Sequence, residues 1–314
     1  MRWCSHSARP WAASLPAAFA CLLALALGAP PEADAGARVH PQPAASASQA
    51  QSEAARVARY WTPERMRSTP PLDGGSVSGN EASASFASVL DATIPPYSVN
   101  GRIFIRRGGR RGYCSGTAIN SPSRQLVLTA GHCVNSGPLE RSRRTIWSRF
   151  MQFVPAYRNG VAPFGAFVAR RGKIFAHKQW TKLGNPDFDV GAFLTFPNAA
   201  EQNVADAVGG GATIALDRSR SQVFQTFGYP ATVRTLQQCS SPYVGDDSLT
   251  YPFPGPPTIA IRCRWTPGAS GGAWLIEEGA TINGLNSYGH RGDRRHTFSP
   301  YFSSANVGVL VAGL

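Results

Sequence analysis

From residue 97 onward the chain is a succession of short apolar runs separated by turn residues, and that texture constrains its fold more than any other feature. Residues 102–105, 125–128, 150–154, 166–168 and 190–194 are such runs, followed by 212–216, 223–227, 258–262, 273–276 and 281–285. β-Branched and aromatic side chains dominate them, and Gly, Pro, Asn or Asp bounds them, as expected of strands joined by tight turns. The 32 glycines and 25 prolines supply those turns. Long helical heptads and fixed-period repeats are absent from the sequence. Many short strands predict an all-β fold, either a barrel or a sandwich.

The 314 residues suffice for one large domain or two small ones. A hydrophobic fraction of 43% with only 16% charged residues excludes a disordered chain. The net charge of +13 is unevenly placed: residues 1–95 balance seven basic against seven acidic side chains, whereas residues 96–314 carry 24 against 11. Such a charge favours adsorption to anionic polymers or membranes, so an adhesion protein is one class it admits. A soluble basic surface accounts for it without such a partner, and is the preferred reading. Nucleic acid is not an expected partner, because the arginines are scattered and no aromatic stacking motif accompanies them.

Residues 1–35 have the form of a secretory signal. Arg2 and Arg9 precede a mostly apolar stretch, 12–29, whose uninterrupted run is short for a membrane span. Small residues place cleavage near 28 or near 35. No later segment is apolar enough to cross a bilayer, so a secreted protein, extracellular or periplasmic, is expected. Residues 36–95, rich in Ala, Ser and Pro, are expected to be a low-complexity pro-segment or a linker, with 41–46 flexible. Within them, residues 55–66 combine aromatics and charges as a short helix or a docking segment would.

Of the six cysteines, Cys4 and Cys21 would leave with the signal, and Cys114, Cys133, Cys239 and Cys263 remain. An even count in an exported chain predicts two disulfides, with three possible pairings. Cys114–Cys133 and Cys239–Cys263 are expected, since each closes a local loop. The first loop, of about twenty residues, would contribute about 3 kcal/mol in the chain-entropy account. With no Cys-x-x-Cys pair, no metal site is expected, and no cofactor is called for.

Three local settings suit nucleophilic catalysis. Ser270 lies in Gly268-Ala269-Ser270-Gly271-Gly272. Glycines there permit a tight turn that exposes the hydroxyl and turns the N–H groups of Gly268 and Ser270 toward one point as oxyanion donors. An ordinary glycine turn would have the same composition. His132 follows the strand-like Leu126-Val127-Leu128 and the small residues Thr129-Ala130-Gly131, a junction that would hold an imidazole rigidly, as base or as packing residue. Cys133 beside it would fix the junction further. Asp189 begins the apolar run 189–194, where a carboxylate could orient an imidazole. Asp187, two residues earlier, is the rival, closer to the Pro186 turn.

Thr129-Ala130-Gly131-His132-Cys133, Asp189-Val190-Gly191-Ala192 and Gly268-Ala269-Ser270-Gly271-Gly272 together resemble, in order, the three signatures of the chymotrypsin-like (trypsin-like) serine proteases. The resemblance covers roughly residues 96–314 and is strongest to secreted bacterial trypsin-like peptidases, neighbours of the glutamyl endopeptidases. It implies two six-stranded antiparallel β-barrels with the active site in the cleft between them. His132 and Asp189 would belong to the first barrel and Ser270 to the second. Tyr113-Cys114-Ser115-Gly116-Thr117-Ala118-Ile119 resembles the strand before the histidine, and residues 61–66 a segment of the family's pro-regions. Asn286-Ser287-Tyr288-Gly289 fits the substrate strand, with Ser287 supporting Asp189 and Ser287, Tyr288 and Gly289 pairing with substrate backbone.

The departures from the pattern are local. Ala269 stands where the family commonly has aspartate, so maturation through an ion pair to a newly freed N-terminus is excluded. Ala273 replaces a frequent proline. Arg264 falls near the position that often floors the primary pocket, where a guanidinium would prefer an acidic side chain, although it could equally face solvent. Asn286 stands where glutamyl endopeptidases carry a histidine. The expected activity is that of a secreted serine endopeptidase, made as a zymogen and acting as a monomer on protein or peptide substrates through an acyl-enzyme. A catalytically silent binding module and an esterase on the same scaffold are the alternatives.

Overall fold

The structure is a computed structural model that describes residues 38–74, 86–140, 142, 144–247, 255–277, 279–312 and 314. The expected signal segment lies outside the described residues. Strands dominate, and every helix beyond residue 70 has six residues or fewer.

The strands are β1 (Val39–Pro41), β2 (Ala87–Ser88), β3 (Asn100–Arg107), β4 (Arg110–Ala118), β5 (Leu126–Thr129), β6 (Arg149–Pro155), β7 (Phe167–His177) and β8 (Gly191–Thr195) in the first half. The second half supplies β9 (Thr213–Ile214), β10 (Val223–Gly228), β11 (Gln237–Asp246), β12 (Ile259–Ile261), β13 (Ala273–Ile276), β14 (Thr281–Leu285) and β15 (Thr297–Ser299). Each of the ten apolar runs overlaps a strand, so the all-β expectation holds.

The first six-stranded unit is a closed antiparallel barrel in the order β7-β6-β3-β4-β5-β8, with β8 pairing back to β7. Its interior is filled by alternate residues of β-branched and aromatic runs. Ile103, Phe153, Phe167 and Phe193 are fully buried there, as the inside-facing half of a pleated strand should be. The second sheet runs β15-β12-β11-β10-β13-β14 antiparallel, with β9 parallel to β14. Its ends approach one another where Leu285 N–H donates to Ser299 Oγ at 2.8 Å and Ser287 N–H to Phe298 O at 3.0 Å. Phe224, Trp265 and Trp274 form the centre of a second apolar cluster. The fold therefore has two β units, as the resemblance implied.

Arg102 of β3 joins the two units. It is 2% exposed, lies 4.0 Å from the Tyr113 ring centroid and 5.2 Å from that of Tyr229, and donates to Val233 O at 3.0 Å. A guanidinium stacked on aromatic faces is less costly to bury than an ammonium, because it is weakly hydrated and its plane matches the rings.

Residues 38–74 differ from the flexible linker that 41–46 suggested. β1 adds to the edge of β7, with Val39 opposite His177, and Gln42 is buried with its amide donating to Ser148 O at 2.9 Å. Ser46 caps a helix over Ala47–Tyr60 through a capping box with Gln49, and Thr62 caps a second over Pro63–Ser68. Val57, Trp61 and Met66 are buried in the main core. Trp61 Nε1–H donates to Phe150 O at 2.7 Å, and the ring lies 5.5 Å from that of Phe104. Apolar burial of three large side chains makes this segment part of the barrel's surface layer.

Candidate functional site

β5 ends at Thr129, and Ala130 turns the chain into a single helical turn, Gly131–Val134, which carries His132. A Cβ on Gly131 would lie 2.9 Å from Asp189 Oδ1 and from Trp180, so glycine is required for the close approach. Asp189 follows the turn Pro186–Phe188 and precedes β8. It is 2% exposed. Its Oδ1 accepts the His132 backbone N–H at 2.6 Å, and its Oδ2 lies 2.7 Å from His132 Nδ1. Asp187 is turned elsewhere, toward Gly255, and burial raises its carboxyl to about 6.

Ser270 sits between Gly268 (φ +95°) and Gly271 (φ +82°), both in the left-handed region that favours glycine. Among the described residues, the amides of Ala269, Gly271 and Gly272 donate to Thr266 O, Asn286 O and Ala269 O. Those of Gly268 and Ser270 have no backbone acceptor, which is the arrangement expected of two donors reserved for an anion. The turn is held from the first barrel: Ser115 N–H donates to Ser270 O at 2.8 Å and Ser115 Oγ to Gly268 O at 2.9 Å. Both expected disulfides are present, and Cys114–Cys133 ties the strand carrying Ser115 to the turn carrying His132.

The residues expected to form a substrate strand lie beside this centre. Ser287 Oγ donates to Asp189 Oδ2 at 2.5 Å. Tyr288 stacks on Phe298 at 5.1 Å, and its hydroxyl donates to Asp247 Oδ2 at 2.7 Å. A cavity of about 380 Å³ opens next to Ser270, with Arg264, Thr266, Tyr288 and Gly289 in its wall. A Cβ on Gly289 would meet Arg264 Nη1, so the guanidinium lies against that glycine. Asn286 is spent on structure: its amide donates to Phe227 O and Ala269 O, and its Oδ1 accepts from Trp274 Nε1.

Two residues at the site escaped sequence reasoning. Arg107, half-buried, donates to His132 O at 2.5 Å, Cys133 O at 2.8 Å and Ser148 Oγ at 2.8 Å. Burial pulls its guanidinium down to about 10 against the attraction of Asp73 and Asp189. Asp73, from the N-terminal segment, is the second. Its Oδ2 accepts from Ser270 Oγ at 2.7 Å, and its Oδ1 lies 3.4 Å from His132 Nε2. The Gly268 backbone also favours its charged form. Burial disfavours that charge, but the charge of His132, the bonds from His132 and Ser270 and the Gly268 backbone outweigh it and hold the carboxyl down, to about 2. His132 rises to about 10: burial opposes its charge, and Asp189 and Asp73 together overcome the penalty.

Among solved structures, the chain is similar to the protease Anisep from Arthrobacter nicotinovorans, at 30% identity and a TM-score of 0.60 over 70% of this chain and 94% of that one. It is similar to a thermostable serine protease, AL20, from an extremophilic microorganism, at 27% identity and 0.58 over 66% and 93%. A Glu endopeptidase in complex with MPD shares the fold, at 19% identity and 0.57 over 73% and 95%. No family model matches the chain, and no curated protein sequence does. A two-barrel frame, with a protease matched at 30% identity over 70% of this chain, settles its kinship: the chain belongs to the trypsin-like serine proteases.

Proposed function

We propose that the protein is a secreted serine endopeptidase that acts through an acyl-enzyme. The observation that carries this reading is the span of one carboxylate: Asp73 is bonded to Ser270 Oγ at 2.7 Å through one oxygen and lies 3.4 Å from His132 Nε2 through the other. Nucleophile and base therefore face a common point.

With Asp73 displaced, Ser270 attacks the scissile carbonyl while His132 Nε2 takes its proton. Asp189, fixed by Ser287 Oγ and by the His132 backbone amide, keeps Nδ1 protonated and stabilises the imidazolium that forms. Amides of Gly268 and Ser270 receive the oxyanion. His132 returns the proton to the leaving amine, and water then releases the acyl group by the same steps. Ser287, Tyr288 and Gly289 pair with substrate backbone. Two disulfides fit an oxidising compartment, and no helix among the described residues is long and apolar enough to cross a membrane.

Arg264 sets an acidic preference at the residue before the scissile bond. It borders the cavity beside Ser270, and among the described residues no carboxylate pairs with it. Thr266 Oγ1, in the same wall, is buried and has no hydrogen-bond partner among the described residues. A carboxylate side chain would satisfy both groups.

Fluorophosphonate labelling followed by peptide mapping tests the central assignment. The adduct is expected on Ser270, and Ser270→Ala is expected to abolish it. An adduct elsewhere that persists in the variant would contradict the mechanism.

A further inference from the structure

We propose that the catalytic centre is a carboxylate-binding site whose built-in ligand is Asp73, and that residues 70–73 thereby hold the protein latent. The proposal rests on the protease reading above and adds what occupies the site and how the occupant blocks it.

Residues 70–73 run beside the start of β4 as an added strand. Leu72 N–H donates to Tyr113 O at 2.9 Å and Tyr113 N–H to Pro70 O at 3.0 Å, a parallel pairing centred on Pro71. Gly112 permits the approach, since a Cβ there would lie 2.7 Å from Leu72 Cδ1 and 2.8 Å from its Cα. This strand delivers Asp73 to a point where its carboxylate accepts from Ser270 Oγ at 2.7 Å and lies 3.4 Å from His132 Nε2.

A peptide substrate would present an electrophilic carbonyl carbon to Ser270. Asp73 presents a resonance-stabilised anion that resists nucleophilic attack, so the segment binds as an inhibitor and is not cleaved at Asp73. Nucleophile and base are blocked together. The Ser270 proton is engaged by Asp73. His132, lifted to about 10 between two carboxylates after burial has opposed its charge, is already protonated at neutral pH and cannot act as a base.

Attachment does not depend on the chain beyond Asp73. Trp61 and Met66 are 3% and 4% exposed, packed into the main core a few residues upstream. Cutting the backbone after Asp73 leaves those contacts in place, so a cut there does not by itself free the centre; activity requires the Asp73 carboxylate to leave it.

The test uses the full chain. The rate of fluorophosphonate labelling of Ser270 is compared for the parent, Asp73→Ala and Asp73→Asn, with folding checked by circular dichroism. Loss of charge-assisted bonds predicts labelling about 10- to 100-fold faster in Asp73→Ala than in the parent. Acetate, against chloride at matched ionic strength, should slow labelling of Asp73→Ala by refilling the site and leave the parent unchanged. Insensitivity to acetate would overturn the carboxylate site and leave residues 70–73 as a steric plug. Equal, rapid labelling of parent and variants would overturn the latch and leave the hydrolase reading standing. No labelling of any of the three would overturn both. If Asp73→Ala does not fold, Asp73→Asn, which keeps the size and removes the charge, decides the outcome. Its labelling should accelerate less than the parent's between pH 7 and pH 10, and identical pH profiles would refute a charge-based latch.

Discussion

Ser287 Oγ donates to Asp189 Oδ2 at 2.5 Å, the same oxygen that lies 2.7 Å from His132 Nδ1. Ser287 belongs to the second β unit and Asp189 to the first, so the orientation of the imidazole depends on both. Ser287→Ala removes one hydrogen bond to a buried carboxylate, a loss of about 1.5–3 kcal/mol. The expected result is a fall of about tenfold or more in kcat, with KM little changed, measured in the Asp73→Ala background so that the cleft is open. An unchanged kcat would mean that the His132 backbone amide alone suffices to hold Asp189.

The Asp73–His132 pair gives the proposed latency a pH window. The His132 value is raised from 6.5 to about 10, so its contribution is complete below 6.5 and is lost as pH rises through 10. The Asp73 value is lowered from 3.8 to about 2, so its contribution is present above 3.8 and is lost as pH falls through 2. The difference in Tm between the parent and Asp73→Asn should therefore be largest from about pH 4 to 6.5 and shrink toward pH 10. A difference that grows with pH in the alkaline range would contradict this pairing.

Trp61 anchors the N-terminal segment. Truncating a fully packed tryptophan to alanine costs about 3–5 kcal/mol. Hydrogen exchange across the helix Ala47–Tyr60 should accelerate strongly in Trp61→Ala, while exchange in β10 and β13 stays near the parent's. Equal exchange in the helix would show that the segment is held by other contacts.

Arg264→Ala should lower kcat/KM for a peptide with Glu before the scissile bond by about 10- to 100-fold relative to the matched Gln peptide. Paired peptides assayed in the Asp73→Ala chain supply the measurement. Equal loss for Glu and Gln would make Arg264 a structural residue.

What was legible in the sequence had a local cause. His132 stood at the end of an apolar strand run, and Ser270 stood among glycines whose positive φ values now account for their presence. Of the two aspartates that the sequence offered, Asp189 lies 2.7 Å from His132 Nδ1, and Asp187 is turned toward Gly255. Strands with polar faces were harder to see. β11 alternates buried and exposed residues with many serines and glutamines, and the hairpin Arg106-Arg107-Gly108-Gly109-Arg110-Arg111 hides a strand end beneath arginines. Pro41 suggested a linker, yet proline is tolerated on an edge strand, and β1 is one. Asp73 could not be found locally: its partner Ser270 is 197 residues away, and nothing in Pro71-Leu72-Asp73-Gly74 marks it as a ligand.

The most direct measurement of the central claim is hydrolysis of a peptide panel by the Asp73→Ala chain with and without Ser270→Ala. The account predicts turnover in the first and a loss of several orders of magnitude in the second. Equal turnover in both would place the chemistry elsewhere and contradict the assignment of Ser270 as nucleophile.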